Sequence, residues 1–265
     1  MASVLSVDVG VATHIGRVRE VNEDAFFAGQ RVFAVADGMG GHAAGDVASR
    51  TALQVLGELD TAHISQEALR VQIRRANDAV VNYGLSHREA AGLGTTIAGI
   101  ALLQAASPPH WAVFSVGDSR VYLLDHGVFR QLTIDHSEVE ELVADGVISR
   151  SEARHHPSRH IITRAIGEQP APALDVMLIP AMLGQRWLIT SDGLTSELDD
   201  GQIARHLDPG TPAKVAATHL VEVALAAGGR DNVAVIVIDV LDAEEAPDAD
   251  VGPTRPRSLQ VEGAS

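Results

Sequence analysis

Three short motifs, each placing an aspartate beside an apolar run, carry the chemistry that this sequence offers. They are VFAVADGMGG with Asp37, RWLITSDGL with Asp192 and GGRDNVAVIVI with Asp231. An acid at the tip of a strand is held rigidly, and the glycine after Asp37 and after Asp192 lets a second atom or a backbone carbonyl approach closely. Three carboxylates from distant parts of a chain repel one another unless a cation neutralises them. We therefore expect a site of oxygen ligands for Mg²⁺ or Mn²⁺.

Two further segments carry charges that could join this site. Taken alone, REVNED at residues 19–24 indicates a solvated loop with a surface ion pair. A short connection to VFAVADGMGG would bring it to the same end of a sheet. There Glu23 and Asp24 would add oxygen ligands or hold metal-bound water, and Arg19 would grip a phosphate with its fork of N–H donors. Asp118, in VGDSR, is by itself typical of a turn, but beside the other acids it is a candidate ligand for an additional ion.

Other signatures fit the chain poorly. The run GMGGHA at residues 38–43 matches a relaxed dinucleotide fingerprint, but Asp37 would point a carboxylate at the pyrophosphate and the βαβ context is missing. The sequence has no Walker A motif and no G-x-S-x-G elbow, so a P-loop and a Ser-His-Asp hydrolase have no support.

Four histidines lie in the polar stretch of residues 133–167. His155, His156 and His160 lack the spacing of a zinc-binding pair on one helix face, and no cysteine assists them. We expect instead an exposed, partly helical insertion or lid near the site.

The composition bounds the class of protein. The chain has 265 residues, of which 46% are apolar and only 3% aromatic, so a large and mostly aliphatic core can form. A net charge of -15 disfavours nucleic acid and anionic membranes as partners. The lack of cysteine excludes disulfides, thiolate metal sites and a cysteine nucleophile. Because neither a spanning helix nor a signal peptide is recognisable, we expect a soluble cytoplasmic protein.

Strand-like segments outnumber helical ones. Predicted strands are 4–12, 31–36, 95–103, 110–117, 120–124, 128–132, 174–179, 186–191 and 232–240, and predicted helices are 45–59, 66–88, 137–145, 151–156 and 212–227. Because strands mostly follow strands and the long helices come in pairs, the order favours antiparallel sheets covered by helices.

Local signals place some of the boundaries. Asp125-His126-Gly127 is expected to form a hairpin. In the last helix, Thr211 is expected to cap, Pro212 to take the first position and Gly228 to end it. Residues 1–241 are predicted to form one domain, and the acidic, proline-containing residues 242–265 a disordered tail.

Eight motifs occur here in the order found in bacterial metal-dependent serine/threonine protein phosphatases of the PPM (type 2C) family, which the chain resembles from about Val7 to Val240. They are REVNEDA, VFAVADGMGGHAAG, GLGTT, VGDSRVYLL, LTIDHS, HPSRHIITRAIG, ITSDGLTSEL and GGRDNVAVIVI. The resemblance implies an α+β fold in four layers, α-β-β-α, with two central antiparallel sheets flanked by helices and the site at one end.

The resemblance also implies an activity. The protein would hydrolyse phosphoserine and phosphothreonine in proteins through a hydroxide that bridges two Mn²⁺ or Mg²⁺ ions, and so oppose serine/threonine kinases. Its partners would be phosphorylated proteins and such kinases, with no nucleic acid and no membrane anchor, and it would be a monomer. Residues 134–165 would form a mobile flap that helps to choose the substrate.

Each candidate residue gains a role by this resemblance. Asp37 would bridge both ions, Gly38 would bind one of them through its carbonyl, and Asp192 and Asp231 would bind the other. The acids around the metal-bound waters would be Glu23 and Asp24. Arg19 would bind the phosphate, so that Arg19 and Asp37 are the catalytic pair. A third, weaker ion would lie at Asp118, shared with Asp192.

One position departs from the animal enzymes, which have a histidine after the Asp-Gly pair. In those enzymes the histidine is proposed to protonate the leaving oxygen. Here the position is Met39, whose thioether cannot donate a proton, and we do not assign this proton transfer to the nearby His42. A metal-bound water near Asp118 is the alternative that we expect.

Two other functions stay open at this point. A metal-binding relative could have become a phosphoprotein-binding module, although unpaired clustered carboxylates without metal would only destabilise it. A metal phosphodiesterase or nuclease is disfavoured by the negative charge and the lack of basic patches.

Overall fold

The computed structural model of this chain describes residues 5–40, 44–103 and 108–242. Within them the strands are β1 (Leu5–His14), β2 (Asp24–Ala28), β3 (Val32–Met39), β4 (Gly94–Thr95), β5 (Ile97–Leu103), β6 (His110–Val116), β7 (Arg120–Asp125), β8 (Val128–Gln131), β9 (Asp175–Pro180), β10 (Arg186–Thr190) and β11 (Val233–Asp242). The helices are α1 (Gly45–Gly57), α2 (Gln66–Ser86), α3 (Glu138–Ala144), α4 (Arg150–Ala153), α5 (Asp192–Thr195), α6 (Asp200–Arg205) and α7 (Ala213–Ala227), with a 3₁₀ turn at Arg88–Ala90.

Two antiparallel sheets form the centre of the fold. One has the strand order β1-β11-β10-β7-β8, and the other has β2-β3-β5-β6-β9 with β4 paired to β3. Helix α7 packs on the outer face of the first sheet, and α1 and α2 pack on the outer face of the second. The predicted four-layer α+β architecture is therefore confirmed.

Strand β11 shows why long apolar runs became strands in this fold. Ala234, Ile236 and Ile238 point into the core between the sheets, whereas Val235 and Val237 alternate with them and pack against α7. A strand that is covered on both faces must be apolar at every position, since side chains alternate between the faces.

The predicted hairpin is confirmed at β7 and β8. Asp125 pairs with Val128 across the two residues His126 and Gly127, which have φ angles of 48° and 77°. Two left-handed residues in a two-residue loop match the right-handed twist of the flanking strands.

Several local predictions were wrong. Thr211 does not cap α7: the helix begins at Ala213, Pro212 takes the N-cap position, and no side chain caps it. Gly228 ends the helix as predicted, and its N–H donates to Ala224. The predictions missed β2, α5 and α6, and they joined Thr95 of β4 to β5 in one strand.

The predicted tail begins where the last strand ends. Strand β11 continues to Asp242, and the remaining residues, 243–265, lie outside the described part of the chain. In the described ranges, no helix combines the length and apolar character needed to cross a bilayer.

Candidate functional site

Two aspartates face each other across the hairpin of β2 and β3. Asp24 pairs directly with Asp37. Asp24 is 7% exposed; its Oδ2 accepts a hydrogen bond from the Ser191 hydroxyl at 2.6 Å, and its buried Oδ1 has no partner among the described residues. Burial, and then Asp192 and Asp231, raise the pKa of Asp24 to about 8. Burial, and then Asp24 and Asp192, raise the pKa of Asp37 well above its ordinary value. Like charges directly opposite in a sheet are destabilising, so this hairpin end favours a cation.

The other sheet brings two more acids to the same place. Strand β10 ends at Thr190, and Asp192 opens α5 immediately afterwards. Asp231 lies two residues before β11, which is the neighbour of β10. Burial, and then the charge of Asp231, raise the pKa of Asp192. Four carboxylates, two from each sheet, therefore interact across one end of the sandwich.

Three of these four acids line a cavity of about 460 Å³. Its lining residues are Arg19, Glu23, Asp37, Gly38, Met39, Gly40, Thr96, Asp118, His160, Ile162, Asp192, Asp231 and Asn232. Of the residues predicted from the sequence to form the site, Asp24 alone does not line the cavity; it is buried beside Asp37, its partner in the hairpin. The fold thus gathers residues from segments more than 200 positions apart.

The glycines after Asp37 and Asp192 serve the packing of backbone against backbone. A Cβ at Gly38 would lie 2.0 Å from the carbonyl oxygen of Gly45, and one at Gly193 would lie 1.9 Å from that of Asn232. Both distances are far shorter than any van der Waals contact, so each position needs glycine. The first turn of α1 and the start of β11 can therefore lie directly beside the acids.

Glu23 connects the site to the N-terminus of α1. Its Oε1 accepts the Gly45 N–H at 3.2 Å, and its carbonyl accepts the Ser49 hydroxyl at 2.6 Å and the Gly38 N–H at 3.2 Å. A carboxylate is stabilised at the positive end of a helix. Burial raises the pKa of Glu23, and the hydrogen bond from Gly45 opposes that rise.

Arg19 lies at the rim of the cavity with half of its side chain in solvent. Its Nη2 lies 2.8 Å from Oδ2 of Asp231, and the side chain is 51% exposed. This ion pair joins a predicted phosphate-binding group to a predicted metal ligand, 212 positions apart in sequence. The pairing places the guanidinium where its free N–H groups can reach a ligand in the cavity.

Asn232 is a site residue that the sequence reasoning missed. It is 5% exposed, and its Nδ2 donates to the carbonyls of Ile15 and Val21 at 2.9 and 3.0 Å. Its Oδ1 accepts the Glu23 N–H at 2.8 Å. One side chain therefore holds both ends of the loop that carries Arg19. The only signal was a polar residue next to Asp231 at the start of an apolar strand.

Thr96 and Ser119 form a second missed group. The Thr96 hydroxyl accepts the Asp37 N–H at 3.0 Å and lies 2.7 Å from the Ser119 hydroxyl. Ser119 follows Asp118, whose pKa is raised well above its ordinary value by burial and then by Asp192. These two hydroxyls connect the strand end at Asp37 to the turn at Asp118.

Asp118 also lines a neighbouring cavity of about 330 Å³. Arg154, His155 and Arg159, from the segment of residues 134–165, line its other side. That segment contains α3 and α4 and is closed at its base by a bridge between Ser137 and Ile162. The segment is therefore partly helical and lies beside the site, and its action as a lid or flap stays a prediction.

The structure gives no support to the alternatives considered from the motifs. Nδ1 of His156 accepts the Ser158 N–H, and Nδ1 of His160 faces Oδ2 of Asp192 at 4.0 Å, so these rings serve different neighbours. Strand β3 is antiparallel to both β2 and β5, which excludes the βαβ unit of a dinucleotide site. Residues 41–43, with His42, lie outside the described part of the chain.

The donor set suits a hard divalent cation. All of its acidic members offer oxygen, the class of ligand that Mg²⁺ and Mn²⁺ prefer. The buried, unpartnered Oδ1 of Asp24, and the pKa values that burial and the neighbouring acids raise, fit a site that a cation would neutralise. In the described ranges, no three Asp, Glu or His side chains are spaced to hold an ion alone. Water and the Gly38 carbonyl would complete the shell, as Mg²⁺ commonly requires.

Comparison with known proteins assigns the chain to a family. A family model described as Protein phosphatase 2C matches residues 12–224. The chain belongs to the protein phosphatase 2C family. Its relatives in that family include the serine/threonine protein phosphatase PstP of Mycobacterium tuberculosis, 39% identical over 245 residues that make up 91% of this chain and 45% of PstP. The serine/threonine phosphatase stp of Listeria monocytogenes is 36% identical over 239 residues, which are 86% of this chain and 93% of that protein.

The fold of this chain also matches solved structures of protein phosphatases. The crystal structure of the catalytic domain of PstP in complex with two manganese ions superposes with a TM-score of 0.82 at 34% identity, covering 90% of this chain and 100% of that chain. The chain therefore spans less than half the length of the full mycobacterial relative, but the whole of its catalytic domain. The resemblance identified from the eight motifs is confirmed.

Proposed function

We propose that this protein is a metal-dependent serine/threonine protein phosphatase that hydrolyses phosphoserine and phosphothreonine in proteins. The observation that carries the proposal is the convergence of Asp37, Asp192, Asp231 and Asp118 on one cavity with Arg19 at its rim. Family membership and the manganese complex of the PstP catalytic domain support the same chemistry.

The acids would hold two Mn²⁺ or Mg²⁺ ions. In this proposal Asp37 would contact both ions, the Gly38 carbonyl would hold one, and Asp192 and Asp231 would hold the other. When bound, such a pair of ions makes activated water available near neutral pH and neutralises the charge that develops on a phosphoryl group. Glu23 and Asp24 lie next to these ligands and would orient the water molecules around them. Asp118 would hold a third, weaker ion together with Asp192.

Arg19 would bind the phosphate of the substrate. Its guanidinium lies 2.8 Å from Asp231. A cation that takes the Asp231 carboxylate would weaken this ion pair and leave more of the fork of N–H donors for phosphate oxygens. Asn232 fixes both ends of the loop that carries Arg19, so the guanidinium approaches the cavity from a defined side.

Met39 lines the cavity where the animal enzymes have a histidine. A thioether cannot donate a proton, so in this proposal water in the cavity would protonate the leaving serine or threonine oxygen.

A turnover assay on a phosphothreonine peptide tests the function. We expect phosphate release with Mn²⁺ and its loss with a chelator. Asp37→Asn should abolish the Mn²⁺-dependent release without unfolding the protein, while Asp78→Asn, on an exposed face of α2, should leave it intact. Full activity of the Asp37→Asn variant would refute the bridging role. Faster release from a phosphodiester than from the peptide would indicate a phosphodiesterase instead.

Several finer features belong to the same proposal. The enzyme would be a cytoplasmic monomer that opposes serine/threonine kinases, with residues 1–241 as the catalytic domain. Residues 134–165 would act as the flap that selects substrates. Size-exclusion chromatography and a variant that ends at residue 241 test the oligomeric state and the domain boundary.

A further inference from the structure

A buried histidine that lines neither cavity lies between the Asp118 turn and the flap. His136 is 5% exposed and follows β8 at the start of the segment of residues 134–165. Its backbone N–H donates to the Gly117 carbonyl at 2.9 Å, and its Nδ1 accepts the Gly117 N–H at 3.0 Å. Both polar groups of the Gly117 backbone are thus bonded to one residue.

The hydrogen bond from Gly117 decides which ring nitrogen carries the proton. A backbone N–H can only donate, so Nδ1 must be the unprotonated nitrogen and Nε2 must carry the hydrogen in the neutral ring. Nε2 then donates to Oδ2 of Asp175 at 3.1 Å. Nη1 of Arg164 is 3.1 Å from the same Nε2 and 3.4 Å from Oδ1 of Asp175. Since two donors cannot bond each other, Arg164 bonds the carboxylate.

His136 also connects the two ends of the flap. Its carbonyl accepts the Thr163 N–H at 2.8 Å. The next residue, Ser137, forms a bridge with Ile162, and Glu138 N–H donates to the Ile161 carbonyl at 2.9 Å. Movement of either flap end is therefore transmitted to the residue that holds Gly117.

The Gly117 turn has little freedom on its opposite side. Gly117 has a φ of 105°, and a Cβ there would lie 2.6 Å from Cγ2 of Thr96. Asp118 comes next and reaches the cavity from this turn. The position of its carboxylate depends on a backbone held between Thr96 and His136.

We infer that His136 is a positioning residue for Asp118: its imidazole, oriented by Asp175, fixes the Gly117-Asp118 turn relative to both ends of the flap. For its effect on metal binding, the inference rests on the proposed function. The hydrogen bond to Gly117 itself can be measured without metal.

Two substitutions test the two ring nitrogens of His136 separately. His136→Asn keeps an acceptor at the position of Nδ1 and loses the contact with Asp175. His136→Gln reaches toward Asp175 and loses the acceptor for Gly117. His126→Asn, at an exposed hairpin position with a φ of 48° where asparagine is tolerated, is the matched control.

Amide hydrogen exchange in the chelator-treated protein and calorimetric titration with Mn²⁺ give the two readouts. We expect His136→Gln to lower the protection of the Gly117 amide by at least about tenfold, because a buried donor loses its acceptor. We expect His136→Asn to stay within about threefold of the parent protein. The Kd for Mn²⁺ should rise about 10- to 100-fold in His136→Gln, as for other residues that orient metal ligands, and less in His136→Asn.

The outcomes distinguish this inference from the proposed function. Equal protection of Gly117 in both variants would overturn the assignment of Nδ1. Lost protection in His136→Gln with an unchanged Kd for Mn²⁺ would make the ring a purely structural element and overturn the positioning role. Failure of the parent protein to bind Mn²⁺ would overturn the proposed function and the predicted effect of His136 on metal binding. The exchange of the Gly117 amide would still decide whether His136 Nδ1 accepts its hydrogen bond.

Discussion

Asp24 offers the sharpest test of the electrostatics of the site. In the absence of metal, removing its negative charge should increase the free energy of unfolding. Its Oδ2 accepts from Ser191, whereas its buried Oδ1 has no partner among the described residues, and it lies opposite Asp37. Asp24→Asn preserves the shape and an acceptor for Ser191, and places an N–H₂ group beside the other carboxylates. We therefore expect this variant to stabilise the metal-free protein.

The size of the effect follows from linkage. The pKa of Asp24 is raised to about 8 in the folded protein, and that of an unfolded aspartate is about 3.9. A folded pKa above the unfolded one gives stability that is full below about pH 4 and is lost as the pH rises through about 8. Four pKa units correspond to about 5.5 kcal/mol as an upper bound. Because the neighbouring acids share the same protons, we expect Asp24→Asn to recover about 1–3 kcal/mol at pH 8 and much less at pH 5.

Urea denaturation of the chelator-treated protein from pH 5 to pH 8.5 measures this free energy of unfolding. The variant should lose less stability than the parent as the pH rises, and Asp78→Asn should follow the parent. With Mn²⁺ added the order should reverse, because the variant gains less from binding the ion. A metal-free variant that is less stable than the parent at pH 8, or that shows the same pH dependence, would refute the buried-charge argument.

Three further substitutions test separate parts of the site. Arg19→Ala should raise KM for a phosphothreonine peptide by at least about tenfold with a smaller change in kcat, and an unchanged KM in steady-state kinetics would remove Arg19 from phosphate binding. Asn232→Asp keeps the acceptor for Glu23 but loses both donors to the loop, so KM should rise and the free energy of unfolding should fall by about 1–3 kcal/mol; normal values of both would contradict the role given to Asn232. Gly193→Ala should lower the free energy of unfolding in urea by more than about 3 kcal/mol, because its Cβ would lie 1.9 Å from the carbonyl oxygen of Asn232. The control Gly201→Ala, whose Cβ would meet nothing closer than 3.3 Å, should stay within about 1 kcal/mol of the parent. Similar values for the two variants would refute the packing argument.

The sequence predicted most of the sheet because this fold buries both faces of its central strands. A continuous apolar run of the length of β11 is typical of a strand that is buried on both faces. Strand β2 was missed because DAFFA is short and opens with an acid whose burial depends on the other sheet. Helices α5 and α6 are four and six residues long, too short to show a periodic pattern.

The candidate acids could be predicted, but their supporting contacts could not. An aspartate at a strand end has a local signature, as Asp37 and Asp192 show. The roles of Asn232 and Thr96 depend on hydrogen bonds to backbone groups far away in sequence, and nothing local distinguishes them from ordinary polar residues. Predicting the contact of Glu23 with α1 would likewise require the exact first residue of that helix, and sequence patterns locate a helix start only to within a few residues.

The rigidity of the sandwich explains how a protein with a net charge of -15 can tolerate this cluster. Repelling carboxylates would separate if their backbones could move, but Asp24 and Asp37 are fixed by a ladder of strand pairs, and Gly38 and Gly193 are locked against neighbouring carbonyls. The repulsion therefore cannot relax by movement, and together with burial, which is the larger cause, it keeps the pKa values of Asp24 and Asp37 raised. Cation binding is the remaining way to relieve it. Affinity for the ion and instability of the metal-free protein are then two consequences of the same geometry, so a substitution among these acids that lowers one should lower the other.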